Sequence, residues 1–517
     1  MKRPELLSIL KMVTPEKPIS FVSTRNRKHL VPFWQSLVQG MADDGGLLVP
    51  EHLRSLPKKF ISDAKFWKSL RLSDISSILL RSFIPVREVG DVELVDMLEM
   101  SHNFKIPLEK CDGVWIARLD LGPTASFKDI AARPLARLID LYCKKYDRSL
   151  NIIVATSGDT GVAVADAFGG SPRVNVTVLY PSDGVSEIQE KQMLTVHHAY
   201  MNEQVIPIKG NFDVCQDLAK AIQQARTVPS AVTDVVRELN VSSANSINIW
   251  RLLPQMTQYF ASYATLVRQG TIRAGQKIVF AVPTGNMGHL MAGIYARELG
   301  LPITRFIVAT NANNILANII GSGMLKHRGF MKTSSPSMDI LDPSNLERLL
   351  TYSAQKTGAH TKIDLSQMKK DIKEISVRGT DLKKYGVTEA MLGLLQSIIW
   401  VEDIETDDEV YAMMRHVAET TGKVLEPHGV TAFIATLRAR AKKAITDDVV
   451  VVFETAHPDK FPEALIASGV KPPKVHPHPI LNRIKKESIT ALRRPTVMMP
   501  DIIDVVQAMQ TLARAKK

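Results

Sequence analysis

The stretch NIIVATSGDTGVAVADAF, residues 151–168, decides the fold. After Asn151, residues Ile152 to Ala155 are a continuous apolar run with β-branched side chains. A run that does not alternate is expected of a strand buried on both faces of a parallel sheet. The turn Thr156-Ser157-Gly158-Asp159-Thr160-Gly161 follows, and then a helical pattern. Its glycines permit a tight turn. Its hydroxyls, with the backbone N–H groups that open a helix, form a cradle for an anion.

The same construction recurs. KIVFAV (277–282) runs into Pro283-Thr284-Gly285-Asn286-Met287-Gly288 and then into the helical HLMAGIYAREL. Further runs of this kind are VNVTVLY (174–180), QVIPI (204–208), TRFIVAT (304–310) and DVVVVFE (448–454). Helical segments between them imply βαβ units and an α/β layered fold. Neither turn is a nucleoside-triphosphate loop. Each alone is ordinary strand-to-helix chemistry. Two in one sheet point to a ligand with two separated anionic groups.

Length and composition set the frame. A chain of 517 residues implies two to four domains. The texture divides it into a mixed, mostly helical region (1–100), a first α/β region (101–275), a second α/β region (276–470) and a basic extension (471–517). The polar region 324–347 reads as an excursion on the surface or near a site, and 471–480, with four prolines, as a linker. The net charge of +12 permits anionic ligands. It is densest over 471–494 and dilute elsewhere, so a solvated arm is expected and nucleic acid is not. Cys111, Cys143 and Cys215 form neither a disulfide framework nor a zinc pattern, which suits a reducing cytoplasm. No apolar run reaches membrane-spanning length, and LLSIL near the start is too short for a signal peptide.

One lysine stands out. LGPTASFKDIAAR (121–133) sets Lys128 between a Gly-Pro-Thr turn and a helix. Pro134 is tolerated only in a first turn, so the regular helix is expected to begin near Arg133. An amine becomes nucleophilic toward a carbonyl when burial or cationic neighbours lower its pKa. Thr455-Ala456-His457-Pro458 follows the last strand, and no second ligand stands at metal spacing around His457, so no metal site is expected. An aldehyde cofactor carrying its own phosphate would use all these parts. Lys128 would form the Schiff base, one cradle would hold the cofactor phosphate, and the other a substrate carboxylate.

GPTASFKD, ATSGDTG, VSEIQ, GNFDVCQ, SSANSINIWR, PTGNMG, ATNAN, EPHG and TAHPDKFPEAL occur in the order typical of threonine synthases. The set resembles that family from about residue 20 to 470. The resemblance implies a fold-type II pyridoxal-phosphate enzyme of the tryptophan synthase β type, with three-layer parallel-sheet domains and an N-terminal mixed domain. It implies conversion of O-phospho-L-homoserine and water to L-threonine and phosphate. Lys128 matches the Schiff-base lysine, and Gly285, Asn286, Met287 and Gly288 match the cofactor-phosphate cradle. Thr455 matches the hydroxyl at the pyridine nitrogen; a neutral hydroxyl there would leave the ring less protonated than a carboxylate would. Ser157, Gly158, Asp159 and Thr160 match the loop for the substrate carboxylate, and Ser243, Asn245 and Arg251 the segment near the substrate phosphate. The chain departs from the family at Leu121, where a histidine is usual, at Ser242, where an asparagine is usual, and at Pro134. A phospholyase giving 2-oxobutyrate or an O-phosphoserine enzyme would share this scaffold. An inactive homologue would have no need of Lys128, Asn286 and Thr455. The expected partner is the small substrate, with no membrane, and the expected state a monomer or homodimer.

Overall fold

A computed structural model describes all residues except 327–328, 360–362, 375–378, 447, 472–477, 487–491, 493–495 and 516–517. Most of the linker expected at 471–480 lies outside the described residues. No helix among those described is long and apolar enough to cross a membrane.

Two sheets organise the molecule. The larger runs, edge to edge, through Ile399–Asp403, Ile303–Thr310, Ile278–Pro283, Val450–Glu454, Val114–Arg118 and Leu108–Cys111. Its pairings are parallel except for the 108–118 hairpin. The smaller runs through Glu203–Ile208, Val174–Pro181, Leu150–Ala155 and Val241–Ser243, all parallel. The two Gly-rich turns therefore follow strands of different sheets and do not share one. Adjacent-in-sequence strands pair preferentially, yet nothing local to a strand states which sheet it joins. The region 101–275 is likewise divided, because its first two strands belong to the larger sheet.

The continuous apolar runs have the expected cause. In the larger sheet Ile278, Phe280, Val282, Val451 and Phe453 enter one core, while Val279, Ala281, Val450 and Val452 enter another on the opposite face. In the smaller sheet Ile152, Val154, Val176 and Val178 divide from Ile153, Ala155 and Leu179 in the same way. The second core of the smaller sheet also takes in Val505, Val506 and Met509 of the helix Ile502–Arg514. The basic extension is thus built into the fold over these residues. Its Lys485 forms an ion pair with Asp459 (2.8 Å).

The N-terminal region is helical, as expected, with a two-stranded antiparallel pair, Phe21–Ser23 and Leu48–Pro50. The helix after Lys128 differs from expectation. It spans Asp129–Tyr146 with Pro134 inside it, so it begins well before Arg133. An interior proline deprives the carbonyl four residues back of its donor. That carbonyl belongs to Ile130, and the buried His102 supplies a substitute, its Nε2–H donating to Ile130 O at 2.9 Å. Burial holds the His102 imidazole down at about 4, so it is neutral and its single N–H goes to this bond. Arg133 Nε reinforces the junction by donating to Ser101 O (2.9 Å).

Candidate active site

The Lys128 loop is stitched to the end of the strand Val450–Glu454. Phe127 N–H donates to Thr455 O (2.8 Å), and His457 N–H donates to Ala125 O (3.0 Å). Ala125 is held at φ +58, a left-handed conformation costly for a residue with a Cβ. Asp129 closes the turn, accepting from Thr124 N–H (2.8 Å) and the Thr124 hydroxyl (2.7 Å). These bonds carry Lys128 into a cleft between the sheets. Beside Leu121 a histidine arrives from the extension. His478 Nε2 bonds to the carbonyl of Gly122 (2.9 Å).

The cleft is lined by Lys128, Ser157, Asp159, Thr160, Asn245, Arg251, Gly285, Asn286, Met287, Gly288 and Thr455. Of the residues singled out in the sequence, Gly158 and Ser243 are not on its wall. Gly158 sits behind the loop at φ +125, with a Cβ barred by the Gln189 side chain 2.3 Å away. Ser243 Oγ accepts from Asn245 N–H (3.1 Å). The Asn245 amide is itself spent on the backbone of Ala155, accepting from its N–H (2.9 Å) and donating to its carbonyl (2.6 Å). Asn245 thus holds the end of the strand Leu150–Ala155.

Electrostatics at Lys128 come from Asp159 and Arg251, both singled out in the sequence, and from Lys460, to which the sequence reading gave no role. Its Nζ lies 3.9 Å from Asp159 Oδ2. The other Asp159 oxygen accepts from Lys460 Nζ (2.9 Å) and Gln189 Nε2 (2.9 Å). Lys460 has no exposed surface. Burial opposes ionisation of Asp159, and the two ammoniums outweigh it, holding the carboxyl at about 2. Burial brings Lys128 down to about 8 against the pull of Asp159, with Lys460 and Arg251 pushing in the same direction as burial. The amine is therefore largely protonated at neutral pH, with an appreciable neutral fraction.

Arg251 is buried in the same wall. Its Nη1 donates to Ala244 O, its Nε has no hydrogen-bond partner, and no carboxylate lies at ion-pair distance among the described residues. Burial brings its guanidinium down to about 10. A desolvated, unpaired guanidinium is costly unless an anion completes it. Beyond Arg251 the cleft is walled by Gln255, His289 and Ser337, each with a buried side-chain atom lacking a partner (Gln255 Oε1, both His289 ring nitrogens, Ser337 Oγ).

The 285–288 turn fits a phosphate group. Met287 adopts φ +58 immediately before the helix Gly288–Glu298, whose first N–H groups face outward from its end. Gly285 lies so close to residues 337 and 338 that a Cβ would stand 2.6 Å from Ser337 O. Asn286 is braced by Ser344, whose N–H and hydroxyl both donate to Asn286 Oδ1 (3.1 Å each). The region 324–347 therefore comes to the site through Ser337, Met338 and Ser344.

Thr455 faces the cleft on the opposite side, with a carboxylate behind it. Its hydroxyl donates to Glu426 Oε1 (2.9 Å). Glu426 also accepts from Gly429 N–H (3.0 Å), His428 N–H (2.7 Å) and His428 Nδ1–H (2.6 Å). His428 Nε2 accepts from Ser337 N–H (3.1 Å), which places the single ring proton on Nδ1.

A buried lysine of lowered pKa, a glycine turn that opens a helix and a hydroxyl line one cleft between the two sheets, an arrangement that fits a pyridoxal-phosphate enzyme. Residues 88–346 match the family model described as "Pyridoxal-phosphate dependent enzyme". Residues 20–102 match "Threonine synthase N terminus". The threonine synthase of Schizosaccharomyces pombe is 31% identical over 476 residues, 86% of this chain and 88% of that protein. The threonine synthase of Pseudomonas aeruginosa is 31% identical over 459 residues, 87% and 90%. The crystal structure of pyridoxal-phosphate-bound threonine synthase from Brucella melitensis superposes with a TM-score of 0.79 at 29% identity. It covers 96% of this chain and 100% of that one. The chain belongs to the threonine synthase family.

Proposed function

We propose that this chain converts O-phospho-L-homoserine and water to L-threonine and phosphate. The observation that carries the reading is the pairing, in one cleft, of the Lys128 amine with the unpaired, buried Arg251 guanidinium. A substrate that bears a phosphate and reacts at a carbonyl-type cofactor needs both.

Pyridoxal phosphate, when bound, supplies a conjugated sink for the electron pair left as protons depart from the substrate. Lys128 would hold it covalently and the turn from Gly285 to Gly288 would hold its phosphate, with Thr455 at its ring nitrogen. The residues of this chain do the rest. Once released from the cofactor, the Lys128 amine is the mobile base. An amine at about 8 can take a proton from Cα or Cβ and return it at neutral pH. Asp159 holds that amine from one side, with Lys460 preventing the carboxylate from swinging to it fully. Ser157, Thr160 and the backbone N–H groups that open the helix Asp159–Phe168 would take the substrate carboxylate. Asp159 contributes there through its backbone, since Lys460 and Gln189 occupy its side chain. Arg251 takes the substrate phosphate and releases it as the leaving group. Ser243 and Asn245 shape this wall by holding the strand ends. Closure of the two sheet units over the substrate would keep stray water out until one molecule adds at Cβ.

The cytoplasm is the proposed location, supported by three free, buried cysteines. A monomer or homodimer is the proposed state, which sedimentation decides. The deciding experiment incubates the protein with pyridoxal phosphate and O-phosphohomoserine. Threonine and phosphate in equal amounts are expected. A keto acid with ammonia would replace this reading by the phospholyase one, and no turnover of the substrate would end it.

A further inference from the structure

The hydroxyl of Thr455 has one proton, and the structure shows where it goes. A threonine hydroxyl donates once and can accept twice. Here the donation is made to Glu426 Oε1 at 2.9 Å. What Thr455 turns toward the cleft is therefore a lone pair.

The direction of that bond is settled by the groups around Glu426. Oε1 also receives the N–H of Gly429, and Oε2 receives the backbone N–H and Nδ1–H of His428. Every one of these partners is a donor, so the Glu426 carboxylate is an acceptor throughout. His428 cannot reverse the arrangement, because its Nε2 is the acceptor of Ser337 N–H. His428 thus donates only through Nδ1, and of the two adjacent buried carboxyls it is Glu454, pushed up by burial and by Glu426, that resists ionisation. No lysine or arginine lies at ion-pair distance from Glu426 among the described residues, and Glu426 has no exposed surface. The field of Glu426 reaches the cleft, where it favours the charged form of Lys128 and would favour positive charge on any group held there.

We propose that Glu426, acting through the Thr455 hydroxyl, holds the ring nitrogen of the bound pyridine cofactor in its protonated form. The inference rests on the reading that places Thr455 at that nitrogen. A ring nitrogen bearing a proton can donate to the lone pair Thr455 offers, whereas a bare nitrogen would meet it lone pair to lone pair. A hydroxyl taken by itself suggests a less protonated ring. The carboxylate behind it reverses that expectation, because the hydroxyl acts as an extension of Glu426. Glu426 is a positioning residue here, since it touches the cofactor only through Thr455. The consequence is a stronger electron sink at the step where Cα and Cβ give up protons. His428 serves the same end by fixing the orientation of the Glu426 carboxylate.

The test reads the nitrogen directly. The protein is reconstituted with pyridoxal phosphate labelled with ¹⁵N in the ring, and its nitrogen resonance is recorded by NMR. Protonated and bare pyridine nitrogens resonate in well-separated ranges. The unmodified holoenzyme is expected in the protonated range, and a resonance in the bare range overturns the proposal without recourse to any variant. Thr455→Val and Glu426→Gln are each expected to move the resonance toward the bare range, and Thr455→Ser to keep it in place. If Thr455→Val moves the signal and a folded Glu426→Gln does not, the relay is refuted and the placement of the cofactor survives. If neither Thr455→Val nor Thr455→Ser alters the signal, the ring nitrogen does not meet Thr455 and the placement itself falls.

Discussion

Replacing Lys128 by methionine should make the cofactor-free protein more stable, and by an amount that depends on pH. The native fold brings the amine from 10.5 down to about 8, chiefly through burial. Each pKa unit is about 1.36 kcal/mol, so the native state bears a cost of about 3 kcal/mol for keeping this ammonium. Below pH 8 the amine is charged in both the folded and unfolded chain, and the cost is present in full. Between pH 8 and 10.5 the folded chain releases its proton while the unfolded chain retains it, so stability rises and the cost shrinks. Above 10.5 both forms are neutral and the cost is gone. Methionine has similar length, carries no charge, and leaves Asp159 its bond to Lys460 at 2.9 Å. The gain should therefore be about 3 kcal/mol at pH 7 and much smaller at pH 10.5. Urea unfolding of both proteins at the two pH values measures it, and comparing variant with parent cancels the other groups that titrate. A gain equal at both pH values would mean that packing, not charge, is responsible. No gain at pH 7 would mean that the amine is not held at a disadvantage at all.

Lys460→Met should cost about 3–5 kcal/mol by leaving the buried Asp159 carboxylate without its nearest partner. It should also shift upward the pH at which the cofactor-free protein takes up pyridoxal phosphate, because Lys128 loses a repelling neighbour; a downward shift would contradict the charge arrangement. His102→Ala should cost about 1–3 kcal/mol by orphaning Ile130 O, and clearly less in a Pro134→Ala background, where residue 134 regains an N–H. Additive costs in that double-mutant cycle would show that His102 does not stand in for the missing donor. Arg251→Met should raise KM for O-phosphohomoserine far more than it lowers kcat, and abolish competitive inhibition by inorganic phosphate. Retained phosphate inhibition would place the leaving group elsewhere.

The strands at 151–155, 174–180, 204–208, 277–282, 304–310 and 448–454 were legible because burial on both faces makes each run continuously apolar. Val114–Arg118 and Ile399–Asp403 were not, since each is short and each ends in charged residues. Val241–Ser243 is only three residues long and carries two serines. Which strands share a sheet is set by pairings across hundreds of residues, as between Val114–Arg118 and Val450–Glu454, and no local pattern records it. The start of the lysine helix was misread for a definable reason. The proline rule concerns a missing donor, and the donor here comes from His102, outside the helix. Lys460 and Glu426 looked like ordinary charged residues, because charge in a sequence is silent about burial. The glycine turns and Lys128 were visible, since their chemistry lies in residue type and spacing.

The hairpin Leu108–Arg118 joins the larger sheet through Val450–Glu454, about 330 residues further along (118 to 450). A ribosome adds roughly 5–20 residues per second, so this edge waits on the order of 15–70 s for its partner. The smaller sheet, complete by Ser243, can form in the interval. The Lys128 loop cannot, because Phe127 and Ala125 are tied to Thr455 and His457. The nascent chain thus carries its reactive amine for most of its synthesis without the geometry to use it. A chain that terminates early, short of residue 455, would contain the lysine and both glycine turns and yet be unable to assemble the site. The long return of the final strand acts as a proofreading step, granting competence to bind the cofactor only to a chain translated almost to its end.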